Sequence, residues 1–344
     1  MTISLDATYS LGDHLSGVGV YSRELMAALA AAHPEQRFLR CYRPHRFLRA
    51  LAQPVPANTR RALLYEPLFP RARDFFHGLN QRVPEMPFRR TVTTFHDLFV
   101  LSGDYSTPDF RRRFTAQARR AAAASDAVIA VSAFTAGQVA DLLGVERARI
   151  HVVHHGTEHL TPISGVAREN IVLNVGAVQK RKNIVRLVQA FEQTPPGWKL
   201  VIAGSEGYGS SEILDRITAS RRRADIQVLG YVSAAELARL YARARIFAFP
   251  SLDEGFGMPV LEAMISGVPV VAGDRSALPE VCGEAAILVD PEDVSDIAAA
   301  LCRLMDDGGE RNRLIGAGYS RAREFSWERA AAQTWNVYRM LLAG

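Results

Sequence analysis

The sequence has little cysteine and no long apolar run. Its three cysteines, Cys41, Cys282 and Cys302, form no CxxC pair, so we expect neither a disulfide framework nor a structural zinc site. No run of about 18 apolar residues occurs, and the start from Met1 to Asp6 carries an acid where a secretory signal carries a base. We therefore expect a location in the reducing cytoplasm, with no membrane span and no export by that route.

Lysine is also scarce, although the chain is basic overall. Three of the 41 basic side chains are lysines, and the formal net charge is +5. Residues 1–168 hold 21 basic and 14 acidic side chains, whereas residues 169–344 hold 20 and 22, so the first half is the basic one. Between residues 37 and 73 nine arginines are opposed by Glu66 alone and alternate with apolar side chains. The arginines are Arg37, Arg40, Arg43, Arg46, Arg49, Arg60, Arg61, Arg71 and Arg73, and the apolar residues in and next to the segment are Phe38, Phe47, Leu48, Phe69, Phe75 and Phe76.

The arginine-rich segment 37–73 is compatible with several functions. It fits an anionic membrane surface, an acidic acceptor or nucleic acid, and a solvated arginine face explains it equally well. No helix-turn-helix, zinc-finger or RNP signature accompanies the charge, so nucleic acid is not expected as a partner. We predict acceptor binding at Arg43, Arg46 and Arg49, and we keep a peripheral contact with the inner face of an anionic membrane as an alternative role.

The bulk composition is that of a folded protein with two domains. Hydrophobic residues make up 48% and charged residues 22% of the 344 positions, which disfavours collagenous, disordered and coiled-coil classes. Short apolar strands alternate with helical periods in both halves, as in parallel sheets covered by helices on both faces. We therefore predict an α/β fold of two doubly wound, Rossmann-like domains, residues 1–165 and 166–326. A helix at 327–344 follows, and the first domain is one of its candidate packing partners.

The alternation places the strands and helices as follows. In the first domain the predicted strands cover residues 3–5, 38–42, 62–65, 91–95, 127–131 and 149–153, and the clearest helices cover 18–32, 108–124 and 133–143. In the second domain the predicted strands cover residues 171–175, 199–203, 226–229, 246–249, 269–272 and 286–289, and the helices cover 183–193, 210–223, 233–243, 259–266 and 293–305. Ligands of such domains lie beyond the carboxyl ends of the strands, so polar motifs there carry the most weight.

A cationic turn follows the predicted strand 171–175. Two of the three lysines, Lys180 and Lys182, flank Arg181 here, although arginine is the basic residue nearly everywhere else. In a solvated turn, arginine would serve as well as lysine, whereas a site that directs a compact positive charge at phosphate favours lysine. The guanidinium of Arg181 can bind two phosphate oxygens at once. The sequence therefore predicts a phosphate-binding turn at residues 176–183.

The most specific motif is PSLDEGFGMPVLEAM at residues 250–264. The strand before it delivers Glu254, a Gly-x-Gly turn follows at 255–257, and Pro259 suits the first position of a helix with Glu262 in its first turn. Amides of the turn can meet an anion or a sugar hydroxyl. Carboxylates on both sides of one turn can accept hydrogen bonds from neighbouring hydroxyls, so the motif suits ribose or hexose.

Three weaker motifs have ordinary structural explanations of similar weight. The sequence SGVGVY at 16–21 offers amides to an anion at a helix start, but it also suits a flexible turn. His96 ends a predicted strand, where a site residue and a buried structural histidine are equally plausible. The stretch at 229–237 contains a capping box of Ser233 and Glu236, and simple helix initiation explains most of it.

Together these motifs resemble the retaining glycosyltransferases of the GT-B fold, family 4, over almost the whole chain. The matching stretches are GVGVYSREL, HDL at 96–98, VSAFTAGQV at 131–139, HHGTE at 154–158, GAVQKRKN, LGYVSAAEL, the segment from Pro250 to Ala272 and LPEVCGEAAILVDPED. The two glutamates around the glycine turn are the most diagnostic part. The resemblance implies two Rossmann-like domains facing a central cleft, with the acceptor bound by the first and a nucleotide sugar by the second.

The resemblance also implies a role for each matching residue. Glu254 contacts the transferred sugar, and Glu262 contacts the nucleotide ribose. Lys182 and Arg181 hold the diphosphate, and His96 faces the reacting carbon of the sugar. The remaining donor-binding residues are Gly17 and Gly19, which close on the diphosphate from the opposite domain, Tyr231 and Val232 beside the base, and Gly255, Phe256 and Gly257 in the glycine turn. Many relatives carry arginine directly after the first glycine of the phosphate turn, where this chain has Ala177, and Arg181 is the candidate substitute.

We therefore predict a retaining hexosyltransferase that moves a hexose from GDP-mannose or a UDP-sugar to a glycan or lipid-linked acceptor. No DxD pair ends a strand, so we expect no metal ion and no cofactor, with the cationic turn in the metal's place. A nucleotide-sugar epimerase of related fold and a noncatalytic nucleotide-sugar-binding protein stay open as alternatives. A dinucleotide dehydrogenase is not expected, since neither half has a full GxGxxG after its first strand.

Overall fold

The chain divides into two compact units, each built around its own parallel sheet. A computed structural model describes residues 1–12, 15–70, 73–157 and 160–343. The first unit comprises Met1–Ser102, Pro108–His159 and Phe325–Gly344, and the second comprises Gly103–Thr107 and Leu160–Glu324. Residues 103–107 thus group with the second unit, although they lie within the predicted first domain. The predicted α/β class with two doubly wound sheets is confirmed.

The first unit contains a seven-stranded parallel sheet in the order β3-β2-β1-β4-β5-β6-β7. Its strands are β1 (Thr2–Asp6), β2 (Arg37–Tyr42), β3 (Thr59–Leu63), β4 (Phe75–Gly78), β5 (Arg90–Phe95), β6 (Ala127–Ala130) and β7 (Ile150–Val152). Its helices up to this point are α1 (Gly17–Ala32), α2 (Pro44–Leu51), α3 (Phe99–Ser102), α4 (Pro108–Ala124) and α5 (Ala133–Leu143).

The second unit contains a six-stranded parallel sheet in the order β10-β9-β8-β11-β12-β13. Its strands are β8 (Ile171–Val175), β9 (Lys199–Ala203), β10 (Ile226–Gly230), β11 (Ile246–Phe249), β12 (Val270–Gly273) and β13 (Ala286–Val289). Its helices are α6 (Ile184–Phe191), α7 (Ser210–Thr218), α8 (Ala234–Arg243), α9 (Met258–Ile265), α10 (Leu278–Cys282), α11 (Val294–Asp306) and α12 (Gly308–Ala322). All six predicted strands are confirmed.

The last helix, α13 (Trp327–Ala343), completes the core of the first unit. Trp327 and Tyr338 are buried, and the Tyr338 hydroxyl lies 2.5 Å from Nδ1 of His77 on β4. The ring of Trp335 stacks on that of His33 with 3.8 Å between the ring centroids. Burying one large apolar side chain stabilises a fold by about 1.5–3 kcal/mol, so these contacts hold the helix to the unit.

Three elements of the first unit were not predicted, β4, α2 and the short α3, and the first two change the interpretation of the arginine-rich segment. Strand β4 contains Phe75 and Phe76, which are fully buried, and Phe38 and Phe69 are also core residues. The interpretation of these four phenylalanines as part of a binding surface is therefore wrong. Helix α2 contains Leu48, which is 80% exposed and does belong to the surface.

Each sheet has one point where the strand order reverses. Strand β1 lies between β2 and β4, and strand β8 lies between β9 and β11. At such a switch point the loops after neighbouring strands diverge to opposite faces of the sheet and leave a crevice for ligands. The segments that follow β1, β2 and β4 in the first unit, and β8 and β11 in the second, are therefore the places to look for a site.

Candidate active site

The two strongest sequence motifs meet at the switch point of the second sheet. The cationic turn follows β8, and the glycine turn with Glu254 follows β11, which pairs with β8. Asn183 ties the two segments together, because its side-chain amide donates to the carbonyl of Pro250 at 2.9 Å. The amide of Leu252 donates to the carbonyl of Arg181 at 2.8 Å. The structure thus brings together two motifs that lie about 70 residues apart in the chain.

A close contact explains the glycine that begins the cationic turn. Gly176 has φ of +144°, and a Cβ built there would lie 3.1 Å from Cε of Lys182. The aliphatic stem of the lysine therefore lies across the backbone of Gly176. The ammonium of Lys182 also lies 4.5 Å from the ring centroid of Phe249, which is the last residue of β11. Both contacts fix the position of a cation that is nearly buried.

Glu254 pairs with both predicted phosphate-binding cations. Its Oε1 accepts from Nζ of Lys182 at 2.6 Å, and its Oε2 lies 2.9 Å from Nη1 of Arg181. Arg181 Nη1 also donates to the carbonyl of Asp253 at 2.8 Å. The backbone amide of Glu254 donates to Oγ of Ser276 at 3.0 Å, and this hydrogen bond fixes the backbone that carries the carboxylate. The site is therefore an assembled cluster of one carboxylate between two cations.

The electrostatics of this cluster favour the ionised glutamate. Burial alone would raise the pKa of Glu254, but the charges of Arg181 and Lys182, with the hydrogen bond from Lys182, outweigh burial and lower it. Glu254 is thus a carboxylate at neutral pH. Because its charge is shared between two cations, it is a weak nucleophile but a good acceptor for hydroxyl groups.

Glu262 is held in the same unit by a tyrosine that the sequence did not reveal. Helix α9 begins at Met258, one residue earlier than predicted, so Glu262 lies beyond its first turn and the predicted first-turn placement is wrong. The buried hydroxyl of Tyr241 donates to Oε2 of Glu262 at 2.8 Å. Burial and this carboxylate raise the pKa of Tyr241 well above its ordinary value of 10, so the hydroxyl stays a donor.

The glycine turn before α9 has a tightly packed end. Gly257 has φ of +102°, and a Cβ there would lie 2.7 Å from Cδ2 of Leu278. Gly255 and Phe256 are buried beside it. This backbone therefore has one conformation that only glycine fits, which is the property a preorganised ligand turn needs.

The predicted base-binding turn lies at the same edge of the second sheet. The amide of Gly204, after β9, donates to the carbonyl of Gly230 at 2.8 Å, and Tyr231 and Val232 follow directly. Tyr231 is exposed and Val232 is half-buried. The predicted cap of the next helix is confirmed, since Oγ of Ser233 accepts from the amide of Glu236.

In the first unit, His96 is buried and neutral. Its Nε2 lies 2.9 Å from the carbonyl oxygen of Leu79, which can only accept, so Nε2 carries the proton and Nδ1 the lone pair. Burial lowers the pKa of His96 to about 4, although the Leu79 hydrogen bond opposes that shift. The ring meets Tyr21 edge to face, with centroids 4.6 Å apart. A neutral histidine at a strand end suits the positioning of a ligand rather than nucleophilic attack on it.

The glycines of the opening motif lie inside α1 rather than in a loop before it. Helix α1 begins at Gly17, and Oγ of Ser16 caps it by accepting from the amide of Gly19. A Cβ at Gly19 would lie 2.7 Å from the carbonyl oxygen of Tyr9. Packing therefore explains Gly19, while Gly17 is exposed at the start of the helix.

One of the three arginines predicted to bind the acceptor lines a cavity of the first unit. Arg43 follows β2 and lines a cavity of about 470 Å³ in the first unit. Arg46 and Arg49 lie on α2 and are not among the residues that line that cavity, so their part in acceptor binding stays a prediction. Arg71, another member of the segment, lies outside the described residues, as does Glu158 of the HHGTE stretch.

Two features are absent from the described residues. No helix there has the length and apolar character needed to cross a bilayer. Likewise, no group of three or more His, Cys, Asp and Glu side chains in the described part of the chain has the arrangement of a metal site. The three cysteines form no disulfide.

Comparisons with known proteins agree with this geometry. The family model described as glycosyl transferases group 1 matches residues 160–321, and the model described as glycosyltransferase family 4 matches residues 15–159. The O-antigen chain mannosyltransferase B of Escherichia coli is 30% identical over 97% of this chain and 99% of its own length. The MMP alpha-(1→4)-mannosyltransferase of Mycolicibacterium hassiacum is 35% identical over 67% of this chain and 58% of its own length.

Solved structures share the fold over the full length. Sucrose-phosphate synthase from Thermosynechococcus elongatus has a TM-score of 0.79, with 23% identity and 99% of each chain covered. HepE of Anabaena, solved in complex with UDP-glucose, has a TM-score of 0.71, with 18% identity over 100% of this chain and 99% of its own. The fold is therefore the GT-B fold of glycosyltransferases, and the chain belongs to the glycosyl transferases group 1 family.

Proposed function

We propose that this glycosyltransferase moves a hexose from a nucleotide-diphosphate sugar to an acceptor hydroxyl with retention of configuration and without a metal ion. The observation that carries the proposal is the cluster of Lys182, Arg181 and Glu254 at the switch point of the second sheet. It joins two cations suited to a diphosphate with a carboxylate suited to sugar hydroxyls.

The cations act on the leaving group. Breaking the bond between the sugar and the phosphate places positive charge on the sugar ring and negative charge on the departing diphosphate. Lys182 and Arg181 are fixed before the reaction by packing and by Glu254, so they stabilise that negative charge without reorganising. In this proposal they supply the positive charge that a divalent ion supplies in other transferases.

Retention of configuration in this proposal requires either a protein carboxylate that attacks the anomeric carbon first or an acceptor that attacks on the face that the diphosphate leaves. Glu254 is paired with two cations and is a poor attacking group. The acceptor oxygen therefore forms its bond to the anomeric carbon on the face that the diphosphate leaves, and the acceptor proton passes to an oxygen of the leaving diphosphate. His96, held neutral by burial, positions the sugar through Nδ1.

The other residues complete the donor site in this proposal. Glu262, oriented by Tyr241, accepts hydrogen bonds from the ribose hydroxyls. Tyr231 and Val232 contact the base, and Gly17 offers its exposed amide to the diphosphate. Two relatives are named mannosyltransferases, which supports GDP-mannose as the donor, and HepE was solved with UDP-glucose, which supports a UDP-sugar.

The acceptor in this proposal is a glycan, free or linked to a lipid. Leu48 and Leu51 on α2 are 80% and 55% exposed, and Arg46 and Arg49 lie on the same short helix. Exposed leucines beside arginines suit a peripheral contact with an anionic membrane, where a lipid-linked acceptor would lie.

The experiment that tests the proposal is Lys182→Ala. We expect kcat to fall by roughly 100-fold or more, while KM for the donor changes far less, because the leaving-group charge is largest in the transition state. The matched control is Lys199→Ala, which removes an exposed lysine at the start of β9 and should leave both constants unchanged. Full activity of the Lys182 variant would remove this lysine from the site.

A chelator tests metal independence in the same assay. With EDTA present we expect the wild-type turnover to persist, because protein cations stand at the diphosphate. Turnover that EDTA abolishes and Mg²⁺ restores would contradict this part of the proposal. A product that forms without any acceptor would instead favour the epimerase.

A further inference from the structure

A second crevice lies at the carboxyl edge of the first sheet. Its cavity of about 470 Å³ is lined by Arg43 after β2, by residues 64–67 after β3, by residues 81–86 after β4, and by Gln117 and Arg120 of α4. The carboxyl ends of β3 and β2 on one side of β1, and of β4 on the other side, thus open into it, which is where α/β sheets bind ligands. The volume lies within the range of about 300–1,000 Å³ typical of small-molecule sites.

A tight turn holds one wall of this cavity in place. A Cβ built on Gly78, the last residue of β4, would lie 2.6 Å from the carbonyl oxygen of Arg82. The chain therefore folds back over the strand end and delivers Gln81 and Arg82 to the wall. Leu79, in the same turn, accepts the hydrogen bond from His96. The wall is continuous with the segment that fixes this histidine.

Two guanidinium groups of the cavity have unused donors. Nε of Arg43 is buried and has no hydrogen-bond partner. The Nη2 atom of Arg43 lies 3.8 Å from Oδ2 of Asp6, beyond hydrogen-bond distance. Arg82 forms no side-chain hydrogen bond with any described residue, and its guanidinium carbon lies 5.6 Å from the ring centroid of Tyr9. A buried donor without a partner is costly, so Nε of Arg43 lacks an acceptor. Arg82 lines the same cavity and is half-buried, so its guanidinium is accessible to the same ligand.

The carboxylates near the cavity do not supply that acceptor. Glu85 pairs with Arg120 at 3.2 Å, and Glu66 pairs with Arg73 at 3.6 Å. Asp6 is fully buried at the end of β1, and its Oδ1 is taken by the hydroxyl and the amide of Thr8. Its Oδ2 has no hydrogen-bond partner and faces Nη2 of Arg43 at 3.8 Å, so it balances part of the arginine charge without accepting a hydrogen bond from it.

We propose that this cavity binds a phosphate monoester, the charged group of a phosphorylated acceptor, through Arg43 and Arg82. A phosphate monoester carries a charge of about −1.5 to −2 at pH 7 and several acceptor oxygens, which matches two guanidinium groups on separate segments. The inference rests on the proposed function, because it names the acceptor class for the same reaction. It also replaces the predicted partners of Arg43: Arg82 takes the place of Arg46 and Arg49.

The test measures binding rather than turnover. We would titrate mannose 6-phosphate and mannose into the wild type, Arg82→Gln and Arg43→Gln by calorimetry. We expect the wild type to bind the phosphate ester at least tenfold more tightly than the neutral sugar, and each variant to lose at least tenfold of its affinity for the ester. Arg89→Gln, which removes an exposed arginine that does not line the cavity, is the matched control and should bind like the wild type.

A second arm distinguishes a free phosphate ester from a lipid headgroup. Co-sedimentation with phosphatidylcholine vesicles that contain phosphatidic acid, compared with phosphatidylcholine alone, measures binding to the same phosphate group on a membrane. Loss of this binding in Arg82→Gln, with weak binding of mannose 6-phosphate, would support the proposal with a lipid as the source. Wild-type affinity of Arg82→Gln for both probes, or no preference of the wild type for phosphate in either, would overturn it.

Two further measurements keep the outcome clear. Arg82→Lys retains one charge, so partial recovery of phosphate binding shows that a folded site is being measured. Binding of GDP and UDP should be the same in Arg82→Gln and the wild type, since Arg82 is not among the proposed donor residues and Lys182, Arg181 and Glu262 lie in the second unit. The inference can therefore fail while the Lys182 result stands, and the reverse also holds.

Discussion

The two switch points each place a buried carboxylate near arginine, and the two carboxylates behave in opposite ways. Glu254 contacts Lys182 at 2.6 Å and Arg181 at 2.9 Å, and these contacts outweigh burial and lower its pKa. Asp6 lies 3.8 Å from Arg43, and there burial outweighs Thr8 and Arg43 and raises the pKa. Glu254 has two cations in contact, and one of them donates a hydrogen bond, whereas Asp6 has one arginine at 3.8 Å, so the number and closeness of the cations decide the direction of the pKa shift.

The difference shows what each site is prepared to do. In the second unit the cations are already paired and fixed, so the charge is preorganised before a ligand arrives. In the first unit the guanidinium groups of Arg43 and Arg82 keep unused donors, so an incoming anion gains hydrogen bonds without displacing a strong internal pair. The paired cations of the second unit suit stabilisation of a charge that develops during the reaction. The arginines of the first unit suit recognition of a charge that the ligand always carries.

The largest expected effect comes from neutralising the two carboxylates in turn. Glu254→Gln leaves two nearly buried cations without their shared carboxylate, so we expect a loss of about 3 kcal/mol in the free energy of unfolding. Asp6→Asn keeps the shape and removes a poorly compensated buried charge, so we expect a gain of about 1 kcal/mol at pH 7. Urea denaturation of both variants beside the wild type measures this. Equal losses in the two variants would show that the carboxylates are equivalent after all.

The pH dependence supplies the control for this pair. Glu254 has a lowered pKa in the folded state, so its contribution is present above its ordinary value of 4.5 and is lost as the pH falls through the folded value. Asp6 has a raised pKa, so its ionisation costs stability as the pH rises from 3.8 through the folded value. The free energies of unfolding of both variants should therefore approach that of the wild type at acidic pH. Glu254→Gln should approach it from a lower value and Asp6→Asn from a higher value.

An intermediate effect is expected from two buried tyrosines, one in each unit. Tyr241→Phe removes the donor that orients Glu262, so we expect KM for the donor to rise roughly fivefold, equivalent to about 1 kcal/mol, with kcat nearly unchanged. Tyr338→Phe removes the hydroxyl bound to His77 and should lower Tm without changing KM. Steady-state kinetics and thermal melts of both variants measure the contrast. A donor KM that moves in Tyr338→Phe as much as in Tyr241→Phe would remove the specific role of Glu262.

The smallest effect is expected on α2. The double variant Arg46→Gln with Arg49→Gln neutralises two side chains outside the cavity, so we expect kcat/KM for a soluble acceptor to stay within about twofold at 0.15 M salt. The effect should grow at low salt, where exposed charges are less screened. Acceptor kinetics at two ionic strengths measure this. A loss as large as that of Arg82→Gln would return both arginines to the acceptor site.

The second unit was predicted well because its strands are short apolar runs bounded by glycine and proline. The strands at Ile171–Val175 and Ile246–Phe249 are almost wholly buried, and each ends at a motif with an unusual residue choice. The first unit was predicted less well. Strand β4 is four residues long and ends in His77 and Gly78, so its pattern differs little from that of a loop.

The missed site residues share a physical cause. Tyr241 reaches Glu262 across 21 positions of the sequence, and Ser276 reaches Glu254 across 22. Neither tyrosine nor serine stands out locally on a helix or in a loop. Arg82 was overlooked because it lies outside the dense arginine segment, and only the sheet order brings the end of β4 beside the end of β1.

The sequence by itself determined the two α/β domains and the polar motifs at the carboxyl ends of their strands, among them a cationic turn and a glutamate turn. These properties follow from local periodicity and from residue chemistry at strand ends, which a linear pattern records. The tertiary structure alone decided that Glu254 lies between Lys182 and Arg181, that α13 belongs to the first unit, and that Arg43 shares a cavity with Arg82 rather than with Arg46. These are distances between segments far apart in the chain, and strand order and helix packing set them.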